Sequence, residues 1–312
     1  MGNAVCYLFC ICVLSSNATA SFKRPVRRIA ASSTHLVEKR SSTPRTQQGG
    51  RPTNTVSEIP FKLSGGFLIL VEGRIGTLGK LKFILDTGMT RSVVDRKVAE
   101  RLRIPRYPRQ MFDFDKVLHL EGAIFPEVQF GPVRVASVSM SVGNLADLSS
   151  LATHVDAVIG TDLLGLNDIT IDYGAKKVLF RPPDRTVPDA LLNSAPESLT
   201  VEVEVQDHPI RLLVDTGFPD ILLFEDRLRR DIRELRTEDM SDPFSIGGRL
   251  LAKRVTLPKV QLGTRTASSR LLLADGPPSS VMPGVDGLLG TAALKARRVD
   301  INFVTKTFDW EK

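Results

Sequence analysis

The sequence predicts an all-β chain folded as two pseudo-symmetric β-barrel lobes with a few short helices. Two observations carry that expectation: a pattern that occurs twice, and strand-like periodicity around both copies. The first copy reads Lys82-Phe83-Ile84-Leu85-Asp86-Thr87-Gly88. The second reads Arg211-Leu212-Leu213-Val214-Asp215-Thr216-Gly217, which places the two aspartates 129 residues apart. Downstream, Val155-Asp156-Ala157-Val158-Ile159-Gly160-Thr161 answers Val285-Asp286-Gly287-Leu288-Leu289-Gly290-Thr291 at a spacing of 130. Between them, Val128-Gln129-Phe130-Gly131 answers Val260-Gln261-Leu262-Gly263, and Ile171-Asp172-Tyr173 approximately answers Ile301-Asn302-Phe303. Order and spacing both hold, so duplication explains the pattern better than coincidence.

Taken in chain order, residues 4–14 form an apolar run of 11, too short for a membrane helix and the right length for a signal-peptide core. Ala18-Thr19-Ala20 follows as a small-x-small cleavage pattern, although no Lys or Arg precedes the run. Residues 1–20 therefore read as a secretion signal, with a buried strand or helix start as the plainer alternative. A secreted or periplasmic location follows from the first reading. Residues 21–55, rich in Arg, Ser, Thr, Pro and Gln, read as a basic disordered linker, with a pro-segment or a surface-binding arm as alternatives.

Phe67 to Val71 and Lys82 to Leu85 read as a hairpin entering the first motif. Leu199 to Val205 alternates with period two and turns at Asp207-His208-Pro209 into the second. Short helices are expected over Arg96 to Leu102 and Glu225 to Leu235, and for one or two turns after Gly160 and Gly290. Arg181-Pro182-Pro183-Asp184, with Pro188 and Pro196 beyond, marks a linker. The lobes then span 56–181 and 197–312.

Charge sharpens the division. The chain carries 42 Lys+Arg and 35 Asp+Glu, a formal +7, which read naively points to a phosphate-rich partner. Residues 21–55 alone hold eight bases and one acid, which leaves 34 of each in residues 56–312. The excess lies in the tail, so no nucleic-acid partner is expected for the lobes. All three cysteines (Cys6, Cys10, Cys12) fall in the first segment, which excludes a disulfide framework. No later stretch approaches a membrane span. His35, His119, His154 and His208 are scattered without metal-ligand spacing, so neither a metal nor another cofactor is expected. No nucleophile elbow or phosphate loop is present.

An apolar strand running into Asp-Thr-Gly puts a carboxylate on a tight turn at the edge of a buried strand. Glycine permits a positive φ or a close backbone approach there. Threonine offers a hydroxyl able to lock onto the opposite lobe. Two such loops facing each other bring two carboxyls together; both cannot ionise, so they share a proton and their apparent pKa values split. The ionised one can take a proton from water while the neutral one polarises a carbonyl.

These motifs resemble the pepsin-like and retropepsin-like aspartic proteases, a family whose dyad is a standard example of that split. The resemblance covers residues 56–312 and rests on Asp86-Thr87-Gly88, Asp215-Thr216-Gly217, Val158-Ile159-Gly160 and Leu288-Leu289-Gly290. It implies acid-protease-type lobes, here like two retropepsin-sized units fused in one chain, and is similar also to bacterial secreted aspartyl proteases. It implies Asp86 and Asp215 as catalytic residues, with Thr87, Gly88, Thr216, Gly217, Gly160 and Gly290 supporting them. It implies a flap as well, for which Ile246-Gly247-Gly248 is the best stretch in lobe two and Tyr107 a candidate in lobe one. The substrate would be a peptide or protein, and a fused pair needs no dimer, so a monomer is expected.

Two departures stand out. The Ser or Thr that commonly follows Asp-Thr-Gly is Met89 in one copy and Phe218 in the other. Losing such a hydrogen bond favours the neutral carboxyl, so a less acidic optimum than pepsin's is expected. The next position is Thr90 in one copy and Pro219 in the other, which opens an alternative reading as a catalytically inactive peptide-binding scaffold. In a further alternative lobe one dimerises with another chain. Asp86 and Asp215 could also be turn residues alone. Asp156, Asp286, Thr161 and Thr291 read as local turn or cap residues.

Overall fold

In the computed structural model, the described residues are 56–113, 116–146, 148, 154–181, 199–205, 207–228, 237–241, 244–245, 248–249, 252–255, 260–262, 265–267, 271–277 and 282–312. The signal and tail readings for 1–55, most of the linker, and Ile246 and Gly247 fall outside them.

Lobe one contains β1 (Ser57–Pro60), β2 (Lys62–Ser64), β3 (Leu68–Ile75), β4 (Leu78–Leu85), β5 (Val93–Asp95), α1 (Arg96–Arg101), β6 (Arg106–Asp113), β7 (Lys116–Phe130), β8 (Val133–Gly143), β9 (Ala157–Ile159), α2 (Thr161–Leu164), β10 (Asp168–Asp172) and β11 (Lys177–Arg181). Lobe two contains β12 (Thr200–Val205), β13 (His208–Asp215), β14 (Ile221–Phe224), β15 (Thr237–Ser241), β16 (Phe244–Ser245), β17 (Gly248–Arg249), β18 (Ala252–Val255), β19 (Val260–Leu262), β20 (Arg265–Ala267), β21 (Leu271–Ala274), β22 (Gly287–Gly290), β23 (Arg298–Asn302) and β24 (Thr307–Glu311). Short 3₁₀ turns cover Glu225–Arg227 and Thr291–Leu294.

The duplication is visible strand by strand. Lobe one orders seven strands as β3-β4-β9-β5-β8-β7-β6, with β2 added beside β3, and lobe two runs β12-β13-β22-β14-β21-β18-β15 in the places corresponding to the seven. The repeated Val-Gln closes each barrel: Ile75 and Arg74 pair with Val128 and Gln129, and Val205 and Glu204 pair with Val260 and Gln261. One long strand, β7, does in lobe one what β18 and β19 share in lobe two.

A five-stranded sheet, β1-β11-β10-β23-β24, joins the lobes. Ile169 pairs with Ile301 and Ile171 with Val299. Ile171 and Ile301 occupy equivalent places in the two copies, so this pairing straddles the pseudo-two-fold axis. On it, Asp300 accepts from Arg181 Nη2 at 2.7 Å and Arg298 Nε at 3.0 Å, and Thr170 donates to it as well. Partial burial opposes ionisation of Asp300, but the bonds from Thr170, Arg298 and Arg181 outweigh it and hold its carboxyl below the usual range.

The core is continuous across both lobes. Phe83 on β4, Phe130 on β7 and Phe180 on β11 meet edge to face at 6.3 and 6.1 Å, linking the first barrel to the joining sheet. Asp95 caps α1, one oxygen accepting from Lys97 N at 2.9 Å and the other from Leu145 N at 2.9 Å. The helix expected over Glu225 to Leu235 is corrected at its start: a 3₁₀ turn ends at Arg227 and Leu228 is extended (φ −85°, ψ 154°). Arg227 is drawn off to the carbonyls of Pro277, Met282 and Val285. That tertiary clamp outweighs a helical propensity of a few tenths of a kcal/mol per residue.

Candidate active site

Each Asp-Thr-Gly sits where an apolar strand leaves the sheet. β9 lies between β4, with which it is parallel, and β5, with which it is antiparallel. β22 lies between β13 and β14 in the same way, Asp215 aligning with Gly290. A strand thus passes beneath each loop, and its terminal glycine decides how closely. A β-carbon on Gly160 would fall 2.8 Å from Met89 O, and one on Gly290 2.2 Å from Phe218 O.

The threonines lock the loops reciprocally. Thr87 N donates to Thr216 Oγ1 at 3.0 Å and Thr216 N to Thr87 Oγ1 at 3.1 Å. Thr87 Oγ1 donates to Val214 O at 2.8 Å and Thr216 Oγ1 to Leu85 O at 2.9 Å. All four bonds are buried and cross between lobes, so each hydroxyl both gives and accepts.

The carboxyls follow the same symmetry. Asp86 Oδ1 accepts from Gly88 N at 2.8 Å and Asp215 Oδ1 from Gly217 N at 2.7 Å. The two carboxyls lie beside each other and interact strongly. Oδ2 of each has no hydrogen-bond partner among the described residues. Neither Gly88 nor Gly217 has positive φ. Close approach is their reason: a β-carbon on Gly88 would lie 2.5 Å from the Asp215 carboxyl, and one on Gly217 2.5 Å from that of Asp86. Each glycine backs the opposite lobe's aspartate.

Burial first of all raises Asp86, to about 6, against the interaction with Asp215 and hydrogen bonds from the Gly88 and Met89 amides. Asp215 is pushed higher by burial and then by the charge of Asp86 beside it. The pair therefore holds one proton between its two steps, with the charge favoured on Asp86 and the proton on Asp215. Met89 and Phe218 are fully buried in one apolar cluster with Ile84 and Leu213. Their amides reach the aspartates, but no hydroxyl does. Pro219 leaves the loop intact, since Asp215 keeps its Gly217 bond as Asp86 keeps that of Gly88, and Thr216 keeps the bonds that mirror those of Thr87.

Asp156 and Asp286 are corrected from local turn or cap residues: each reaches the strand that enters the motif of its own lobe, accepting from Lys82 N at 2.8 Å and Arg211 N at 2.9 Å, 74 and 75 residues away. Beneath the first loop, Ser92 Oγ donates to Asp162 at 2.6 Å and accepts from Gly160 N at 3.0 Å. Lobe two has Ile221 and Ala292 at these places. Sequence reading missed this clamp, although the mismatch between copies was its signal. Tyr173 shows a similar asymmetry: its hydroxyl meets Thr291 Oγ1 at 2.8 Å. The counterpart of Tyr173 is Phe303, and buried Thr161 Oγ1 has no partner among the described residues.

Of the flap candidates, Tyr107 and Gly248 lie in paired strands. In lobe one β6 and β7 pair from Arg106↔Ala123 to Asp113↔Lys116. Tyr107 stands at the foot of that hairpin, opposite Gly122, with its hydroxyl 2.9 Å from Ser139 Oγ. Nearer the tip, Met111 is buried in the cluster that holds Met89. In lobe two Gly248 pairs with Ser245 in the β16–β17 hairpin.

Among the described residues no His, Cys, Asp or Glu group could hold a metal ion, and no helix is long and apolar enough to cross a membrane. Among curated proteins no sequence matches the chain. A retropepsin-like aspartic protease from Rickettsia conorii is similar in structure at 16% identity and a TM-score of 0.30, over 43% of this chain and 97% of that one. The aspartyl protease family model matches twice, over residues 71–163 and 201–293, each match holding one Asp-Thr-Gly loop and the strand beneath it. With both matches together covering more than half of its length, the chain belongs to the aspartyl protease family, in two copies.

Proposed function

We propose that the protein is an aspartic endopeptidase with one active site, to which each lobe gives one aspartate. The observation that carries this reading is the reciprocal threonine lock, which fixes two buried carboxyls against each other. A turn role alone would need neither burial nor a partner. In this reading Asp86 is the ionised base that accepts a proton from the attacking water. Asp215 holds the proton and hydrogen-bonds to the scissile carbonyl as negative charge grows on its oxygen. The Thr87 and Thr216 hydroxyls stay bonded to backbone throughout and position the loops. Collapse of the tetrahedral intermediate returns a proton to the leaving amine. The β6–β7 hairpin, with Tyr107, and the hairpin holding Gly248 cover the peptide.

Incubating the purified protein with a random peptide library from pH 3 to 8, with and without pepstatin, tests this. Pepstatin-sensitive cleavage is expected. Peptide binding without cleavage at any pH would favour an inactive scaffold instead.

A further inference from the structure

The hairpin of lobe one has two chemically different faces. On one, Glu121 is bridged by Arg106 at 3.0 Å and Arg96 at 3.4 Å. Residues paired across strands share a face, so the other carries three successive pairs: Tyr107–Gly122, Arg109–Leu120 and Met111–Leu118. This second face is turned toward the Asp86 loop. Met111 is buried in the cluster that holds Met89, and Leu118 and Leu120 pack on that cluster. Met89 in turn gives its amide to Asp86.

Arg109 is out of place in that setting. It is half-buried, on a strand face it shares with Tyr107, Met111, Leu118 and Leu120. Its one hydrogen bond among the described residues is a long one, 3.5 Å from Nη1 to Ser141 Oγ. No described carboxylate lies within ion-pairing distance of it, while the carboxylate nearest along the hairpin, Glu121, faces the opposite side with two arginines of its own. A cation held partly out of water without an anion is unfavourable unless something supplies one. Arg109 stands two residues beyond Met111, about 7 Å farther along the strand from the hairpin tip.

We propose that Arg109 is a specificity determinant that binds the carboxylate of an acidic side chain in the peptide substrate, at a subsite displaced from the scissile bond along lobe one. The proposal rests on the peptidase reading for the identity of the ligand as a substrate. The guanidinium fork suits a carboxylate in two-point contact, which a lysine ammonium cannot reproduce.

The test uses the full chain and a set of peptides with one apolar central pair. A single Glu is walked through the flanking positions, each peptide having a Gln twin. Values of kcat/KM are compared for wild type, Arg109→Gln and Arg109→Lys. Dissociation constants for the same peptides, by fluorescence anisotropy, are measured on Asp215→Asn with and without Arg109→Gln. At one or two adjacent positions wild type is expected to prefer Glu over Gln by about tenfold, weakening as salt rises. That ratio should fall to about one in Arg109→Gln and recover only partly in Arg109→Lys. Cleavage with the same Glu/Gln ratio in wild type and Arg109→Gln overturns the proposal and leaves the peptidase reading standing. An Arg109-dependent Glu preference in binding, with no cleavage by wild type, upholds the Arg109 site and overturns the peptidase reading.

Discussion

At the scale of single residues, the dyad is unusual in what surrounds it. Asp86 and Asp215 are fully buried, and the neighbours that could have offered hydroxyls are Met89 and Phe218. Both carboxyls are accordingly raised. In the proposed mechanism the active form carries one proton, so activity should rise as Asp86 ionises, near pH 6, and fall only as Asp215 loses its proton at higher pH. A pH profile of kcat/KM peaking above pH 5 is expected, and one peaking below pH 3 would be incompatible with this electrostatics. Restoring a donor through Met89→Ser should move the acid limb down by up to about one pH unit. It should also cost about 2 kcal/mol or more of stability, because a buried side chain is truncated.

The same shifts have a consequence for stability. A carboxyl whose folded pKa lies above its unfolded value favours folding less and less as pH rises from the unfolded pKa through the folded one. Asp215→Asn removes that penalty. It should therefore raise the melting temperature at pH 7 and make little difference below about pH 4. Thermal melts at the two pH values check this, and an equal change at both would contradict it.

At the scale of elements, the reading of the sequence succeeded where two copies agree. The hairpins into each motif, the strand ending in Gly160 or Gly290 and the short helical turn after it all recur, and repetition separated them from chance. The reading failed where long-range chemistry decides. Nothing local in Glu225 to Leu235 signals that Arg227 clamps three carbonyls some 50 to 58 residues away. Ser92 and Asp162 are 70 residues apart and have no counterpart in lobe two, so their only mark in the sequence is a mismatch between the copies. The Tyr173–Thr291 bond and its missing twin at Phe303 and Thr161 form a natural experiment. By pseudo-symmetry, Phe303→Tyr should supply Thr161 with a partner and stabilise the fold by about 1 kcal/mol, whereas Tyr173→Phe should destabilise it by about as much. Urea denaturation measures both, and a destabilised Phe303→Tyr would show that the two sides are not equivalent.

At the scale of the whole molecule, the two lobes are one structure. Their core is continuous, the β10–β23 pairing crosses between them, and the threonine lock ties the two Asp-Thr-Gly loops at the same interface. Equivalent segments such as 171–173 and 301–303 could be matched in the sequence, but equivalence does not reveal that β10 and β23 pair with each other. Asp300 adds a pH-dependent term to this sheet with a sign opposite to that of the dyad. Its folded pKa is depressed, so its contribution is present above the unfolded pKa and is lost as pH falls through the folded value. Because water still reaches the partly buried carboxyl, Asp300→Asn should cost no more than about 1 kcal/mol at pH 7, and progressively less as pH falls through the folded value. The chain's +7 has no part in this interface, since the residues from 56 onward balance their charges.

The most direct test of one site built from two lobes is the loss of peptide cleavage in Asp86→Asn and Asp215→Asn, each made singly and each shown to be folded by its melting transition. Both variants are expected to lose at least about a thousandfold in kcat/KM, because neither carboxyl can serve as both base and acid. Cleavage at the wild-type rate in either one would contradict the account.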